Sequence, residues 1–237
     1  MQPLLKPPLH TLNILYQDDA IVAINKPNGL LVHRTKLAAD EQQHFAVQLL
    51  RDQIGQHVYP VHRLDRPTSG VLLMALSSDM ARALKEQFDD RTIVKTYLAV
   101  CRGYCPLTGI IKEPLHNDRG VLQEAETHYD RLNTIELPIQ VASRYTTSRY
   151  SLVKVTPKTG RYHQIRKHFA KLRHYLIGDT KHGDLHHNRM FQEKLECHGL
   201  LLHAQSLSFR HPLDACDMEL SAALPNHFDK VIKDFKW

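Results

Sequence analysis

No stretch of the chain approaches the ~20 consecutive apolar residues of a bilayer-spanning helix, so nothing in its 237 residues reads as a membrane span. Met1 to His10 carries Lys6 but neither an apolar core nor a small-residue cleavage site, and it is not read as a signal peptide. Cysteine is scarce. Cys101, Cys105, Cys197 and Cys216 follow no regular spacing and form no Cys-x-x-Cys pair. They read as reduced thiols of a cytoplasmic protein rather than as a disulfide framework. Repeats, low-complexity tracts and flexible linkers are also missing. Residues 1–237 therefore read as one domain, long enough to bury a core without disulfides or a structural metal. Histidine is abundant, yet metal-ligand spacing is not. Gly183 and Asp184 separate His182 from His186 and His187, no Cys or Glu stands at a useful interval, and no metal is expected.

What the chain does have is charge concentrated in one place. Arg144 to Lys181 holds ten Lys or Arg against one acid, Asp179, a local charge of +9 in a chain whose total is +6. Solvated faces usually mix both signs, so this enrichment favours a polyanionic partner. A membrane surface fits less well, because no basic stretch has the strong apolar face that interfacial binding needs.

The pattern predicts strands over Leu12–Tyr16 and Ala20–Asn25, a turn at 26–29 and a short helix over Phe45–Ile54. Arg63 to Gly70 reads as a loop leading into a strand at Val71–Leu76. Ser77-Ser78-Asp79 then caps a helix carrying Met80, Ala83, Leu84, Gln87 and Phe88 at helical spacing. Thr92–Val100 reads as a strand with Val94, Leu98 and Val100 on one face and Ile93, Lys95, Tyr97 and Ala99 on the other. Residues 101–148 are weakly patterned. A strand at Tyr150–Thr156 is followed by a turn at 157–160, a helix over Tyr162–Leu172 striped by Ile165, Phe169 and Leu172, and a strand over Leu200–Phe209. The mixture predicts an α+β fold with a largely antiparallel sheet.

Three stretches carry residues suited to chemistry. His62 to Gly70, HRLDRPTSG, places Asp65 between Arg63 and Arg66, which should keep the carboxylate ionised and fit it for nucleophile, base or plain ion pair. Gly160 to Arg166, GRYHQIR, lies at a strand–turn–helix junction where amide donors and arginines suit an anion, or form an ordinary basic helix start. Tyr97 beside Lys95 is either a packing residue or a ring that stacks on a base. A glycoside or nucleoside hydrolase built on Asp65 would need a second carboxylate, and none stands near it in a comparable motif. A non-catalytic RNA-binding module would need the basic segment alone.

Four stretches, in order, resemble the motifs of the RluA-type pseudouridine synthases. His62–Gly70 is similar to the signature loop, 23–30 (AINKPNGL) to the first motif and Lys95-Thr96-Tyr97 to the Lys-x-Tyr motif. Pro157–Arg166, with 177–179 and 181–183, is similar to the third. Arg51–Val58, Arg144–Tyr150 and Lys181–Leu185 narrow the likeness to the TruC branch, whose members act on uridine 65 of tRNA. At Tyr175-Leu176 the chain departs from the family's usual proline. The resemblance implies the pseudouridine synthase catalytic fold without an N-terminal S4 domain, a tRNA partner, and an isomerisation that needs no cofactor. It implies that Asp65 is the nucleophile, Tyr97 the ring that stacks on the uracil and helps remove its C5 proton, and Arg166 the partner of Asp65. Arg63 would enter the RNA stack when the uridine flips out, Ile165 would line the uracil pocket, and His62, Arg161, Lys158 and Lys167 would meet the RNA.

Overall fold

The computed structural model describes residues 11–33, 45–117, 119–141 and 145–237; Met1–His10 and Arg144, both interpreted above, lie outside them. The chain runs β1 (Asn13–Gln17), β2 (Ile21–Lys26), α1 (Ala46–Ile54), β3 (Tyr59–Pro60), β4 (Ser69–Ala75), α2 (Ser78–Asp89), β5 (Val94–Arg102) and β6 (Thr108–Ile111). It continues through β7 (Leu115–His116), β8 (Leu122–Gln123), β9 (Thr127–Leu137), β10 (Ser148–Pro157), α3 (Gln164–Lys171), α4 (Leu185–Leu195), β11 (Leu202–Arg210), β12 (Asp217–Ser221) and α5 (Asn226–Asp234).

One sheet holds the order β1-β2-β4-β11-β5-β10-β9-β6, with β3 on β4 and β12 on β11, while β7 and β8 form a separate hairpin. Among the described residues only β4 and β11 pair in parallel. The expectation of an α+β fold with a largely antiparallel sheet holds. Both faces are covered. α1 sends Ala46 and Leu50 against Val22, Ile24, Leu72 and Met74, while α2 sends Ala81 and Leu84 against Ile21, Ala23, Leu73 and Ala75 on the other side. The two sets alternate along β2 and β4, as a strand buried on both faces requires. Further along, Ile165 and Phe169 of α3 pack on Ala99, Val153 and Val155. Phe191 of α4 and Phe228 and Val231 of α5 pack on Val100, Tyr150 and Leu152. Phe169 is fully buried, and truncating such a ring to alanine costs about 3–5 kcal/mol.

Local chemistry sets the boundaries. Ser77 accepts from the Met80 amide (3.3 Å) at the start of α2, and Asp184 accepts from the His186 (3.0 Å) and His187 (3.3 Å) amides at the start of α4. α3 is shorter than the helix expected over 162–172. His163 sits just before it with φ 55, and Leu172, expected on the apolar stripe, closes the helix and is 41% exposed. His168 takes the buried place instead, with Nδ1 2.9 Å from Thr127 Oγ1 and Nε2 2.9 Å from the Glu113 carbonyl. The weakly patterned stretch 101–148 contains β6 to β9. The last eight residues of β9 alternate only between exposed and half-buried, so they show no apolar period.

Candidate active site

A cavity of about 490 Å³ lies over the central strands. Most of its lining comes from the loop before β4, the first half of β5 and the turn from β10 into α3, and the end of α2 and Leu202 of β11 complete it. Gly70 shows why the first part can sit there. Its φ is 112°, and a Cβ would stand 2.2 Å from the Ala204 carbonyl oxygen of β11. Only glycine lets the loop enter β4 against this parallel neighbour. Beside it, Ser69 Oγ lies 2.8 Å from Nδ1 of the buried His203.

The loop is held to the turn after β2. The Gly29 amide donates to the Arg66 carbonyl (2.9 Å), Arg66 Nε donates to the Gly29 carbonyl (3.1 Å), and Asn28 Nδ2 donates to the Pro67 carbonyl. Lys26 is fully buried, and its Nζ donates to the carbonyls of Pro27 (2.8 Å), Leu30 (2.9 Å) and Arg66 (3.2 Å). Burial pushes its ammonium down to about 7, against the pull of the Asp65 charge. This lysine belongs to the first motif, and its work is to clamp two turns together.

Asp65 is not held by the arginines beside it in sequence. Arg66 turns to Gly29, and Arg63 lies over the Tyr162 ring, 5.7 Å from its centroid. The cation at Asp65 is Arg166, whose Nη1 stands 3.2 Å from Oδ2. The same guanidinium gives Nε (2.8 Å) and Nη2 (2.7 Å) to the two oxygens of Asp179, a buried bidentate pair. Asp179 also accepts from the backbone amides of Lys181 (2.9 Å) and His182 (3.0 Å). Burial would raise its pKa, but Arg166 and these amides hold it below the usual carboxylate range. Burial likewise opposes the charge on Arg166, and its two carboxylate partners raise it. Gly178 lets Asp179 reach this position: at φ 79 a Cβ would lie 2.0 Å from the Gly199 carbonyl oxygen.

His163 completes the surroundings of Asp65. Its Nε2 is 3.8 Å from Asp65 Oδ2, and its Nδ1 is 2.8 Å from His182 Nε2. Burial, then Arg166, His182 and Lys181, pushes it down to about 3, so the ring is neutral at pH 7. The tautomer that carries the proton on Nε2 turns a donor toward the carboxylate and accepts from His182. Gln164 fixes the turn, accepting from Thr159 Oγ1 (2.6 Å) and the Arg161 amide (2.9 Å) and donating to the Glu126 carbonyl (2.9 Å) and Thr127 Oγ1 (2.9 Å).

From β5, Tyr97 and Lys95 both line the cavity, on the face opposite Leu98 and Val100. Tyr97 is registered between Val155 of β10 and Ala204 of β11. Burial, with the Asp65 charge, raises its hydroxyl well above an ordinary phenol, so it stays protonated. Lys95 is pushed down to about 8 by burial and by Arg91, and its Nζ is 3.4 Å from the Thr159 carbonyl. Ile165 and Arg161 line the same space, and Arg161 Nε donates to the Glu124 carbonyl (3.0 Å). Lys158 is an exposed residue of the lining. His62 is there too, but its Nε2 accepts from the Leu73 amide (2.9 Å) and its ring stacks on Phe88. Burial, then Lys95, pushes it down to about 3. Lys167 stands outside the cavity lining, with Nζ 3.2 Å from the His116 carbonyl. His182, His186 and His187 do not converge: His182 joins His163, His187 Nδ1 lies 2.8 Å from Tyr150 Oη, and His186 is exposed.

The structure thus brings Asp65, Tyr97, Arg166, Arg63, Ile165, His62, Arg161 and Lys158 to one cavity. Asp179, His163, His182 and Tyr162 stand in the stretches similar to the third motif, but their sequence setting gave them no individual role at the site. For Asp179 a signal was present, because it is the lone acid of a segment with ten cations. Both Asp179 oxygens are taken by Arg166, and the further carboxylate of the cavity lining is the exposed Asp89 at the end of α2.

A charged cavity over a mixed sheet, with Asp65 beside Arg166 in its lining, matches a known class of isomerase. The family model described as RNA pseudouridylate synthase matches residues 20–171, and the chain belongs to that family. Among curated relatives, tRNA pseudouridine synthase C of Haemophilus ducreyi is 48% identical over 236 residues, covering 95% of this chain and 96% of the relative. The protein of that name from Haemophilus influenzae is 47% identical, covering 95% and 98%. Of solved structures, human RNA pseudouridylate synthase domain containing 4 superposes with a TM-score of 0.73 at 25% identity, over 94% of this chain and 93% of that one. Human RNA pseudouridylate synthase domain containing 1, at 22% identity and TM-score 0.69 over 98% of both chains, shares the fold.

Proposed function

We propose that this chain converts uridine to pseudouridine in tRNA, at uridine 65, with Asp65 as the nucleophile. The observation that carries the reading is the asymmetry at Arg166. Asp179 has both oxygens bound, while among the described residues the Asp65 side chain takes one hydrogen bond, from Arg166, has His163 Nε2 at 3.8 Å and faces the cavity. tRNA as the substrate is supported by the names of the relatives. Position 65 is supported by the likeness of 51–58, 144–150 and 181–185 to one branch of the family. One ten-stranded sheet that draws its strands from β1 through to β12 supports 1–237 as one catalytic domain.

The reaction breaks N1–C1′, turns the uracil and joins C5 to C1′. The C5 proton leaves and N1 gains one, so atoms and electrons balance without an outside group. Asp65 assists departure of the base either by attack at C1′ or through a glycal. Tyr97 and Ile165 hold the detached ring while it turns. Because the Tyr97 hydroxyl stays protonated, it accepts the C5 proton by passing its own to a neighbouring base such as Asp65. Flipping the uridine costs a few kcal/mol, which an inserted Arg63 offsets.

The test is to incubate C5-tritiated tRNA with the purified protein, measure tritium release and map the product. Release with pseudouridine at position 65 supports the whole reading. Pseudouridine at another tRNA position, or in ribosomal RNA alone, corrects the substrate. No release from any RNA removes the reaction.

A further inference from the structure

The cations of the basic segment divide by their partners. Arg149 reaches Glu136 (3.1 Å), Lys154 reaches Asp130 (3.8 Å), Lys171 reaches Glu113 (3.0 Å), and Arg166 takes two carboxylates. Lys167 and Lys181, together with Arg63 of the Asp65 loop, have no carboxylate within ion-pair distance among the described residues. They converge on a single ring instead. Lys167 Nζ stands 5.2 Å from the Tyr162 centroid, Lys181 Nζ 5.4 Å and the Arg63 guanidinium carbon 5.7 Å. Lys181 Nζ is also 3.5 Å from the Tyr162 hydroxyl. The ring is stacked on His163, centroids 3.8 Å apart, and His163 is the residue that faces Asp65.

Three positive groups around one ring repel one another, and the negative π face offsets that only in part. An anion among them completes the arrangement. We propose that Tyr162 is a platform that gathers Lys167 and Lys181 into a binding site for one backbone phosphate of the RNA, next to the nucleotide that enters the cavity, and that it holds Arg63 until that residue enters the RNA stack. The proposal rests on the reading of the chain as an RNA-modifying enzyme and gives that reading a specific phosphate contact. A phosphodiester carries one charge and two free oxygens, which suit two ammonium groups. Holding the cations on a ring, rather than on carboxylates, leaves their charge available to the RNA.

The experiment measures tRNA affinity across a potassium chloride series for wild type, Tyr162→Phe, Tyr162→Leu, Lys167→Ala/Lys181→Ala and the triple variant with Leu. A single lost phosphate contact flattens the plot of log affinity against log salt by about 0.9 at most. Tyr162→Leu and the lysine pair should each lose about that much, Tyr162→Phe should keep the wild-type slope, and the triple variant should be no flatter than the pair. A lysine pair that loses about twice as much contacts two phosphates and overturns the single site. A Phe variant that behaves like Leu, a Leu variant with an unchanged slope, or additive losses in the triple variant overturns the platform. If Tyr162→Leu melts early, the lysine pair in the wild-type and Tyr162→Phe backgrounds carries the test. Its slope loss must then be the same in both. tRNA that binds with these slopes yet yields no pseudouridine counts against the reaction and leaves the phosphate site standing.

Discussion

Arg166 faces two aspartates, and they differ in every respect except charge. Asp179 is 1% exposed, holds the guanidinium through two bonds of 2.7 and 2.8 Å and accepts two backbone amides as well. Asp65 has a side chain 18% exposed and one bond to the same guanidinium, at 3.2 Å. A carboxylate whose lone pairs are filled is scaffold, and one held at a single oxygen beside a cavity is free to act. Arg166 joins the two, so the position of Asp65 is set through a buried ion pair.

The harshest way to break this contrast is Asp179→Ala. It leaves a buried guanidinium with its main partner gone, which costs about 3–5 kcal/mol of stability, and activity falls with it. Chemical denaturation and tritium release measure the two. An Asp179→Ala protein of native stability would deny that this side is scaffold.

On the reactive side, Tyr97→Phe keeps the ring, worth ~1–3 kcal/mol in base stacking, and removes the hydroxyl. The expected result is nearly normal tRNA affinity with product formation slowed on the order of 10³-fold, the scale of a lost proton-transfer group. Wild-type turnover would make Tyr97 a packing residue. Arg166→Lys should follow with a loss on the order of 10²-fold, because one ammonium cannot hold Asp179 at two oxygens and still position Asp65. Single-turnover rates read this directly, and a fully active Arg166→Lys would show that the shared guanidinium does not matter.

Smaller still is an effect of pH on stability. His163, beside Asp65, and His62 titrate at about 3 in the folded chain and at ~6.5 when unfolded. Between those values the unfolded chain binds more protons, so stability falls as pH drops from 7 toward 4. His163→Gln should flatten that decline in a melting-temperature series. An unaltered decline would mean that the ring is not held neutral next to Asp65.

Much of this was legible in residue order, and the rest fails for identifiable reasons. β2, β4, α2 and β5 carry strong periods or caps, and the alternation along β5 already put Tyr97 and Lys95 on one face. The cavity lining at 62–65 and 157–166 coincides with the two stretches singled out by composition and turn chemistry. What sequence neighbours suggested about Asp65 was wrong in its agents: Arg63 and Arg66 flank it, but the cation in contact lies 101 residues away. The charge of the basic segment was likewise overstated for RNA, since Lys171 is neutralised by Glu113, 58 residues earlier. Pairings at such separations depend on the assembled sheet: the motif likeness pointed to Arg166 as the partner of Asp65, while nothing local announced that of Lys171 with Glu113.

The most direct measurement compares Asp65→Asn with wild type, in melting temperature and in tritium release from C5-labelled tRNA. The amide preserves shape, and Arg166 keeps its pair with Asp179. The variant should therefore melt as wild type does, bind tRNA and release no tritium. Undiminished release, or a melting point that collapses as it does for Asp179→Ala, would contradict the assignment of Asp65 as the reactive carboxylate.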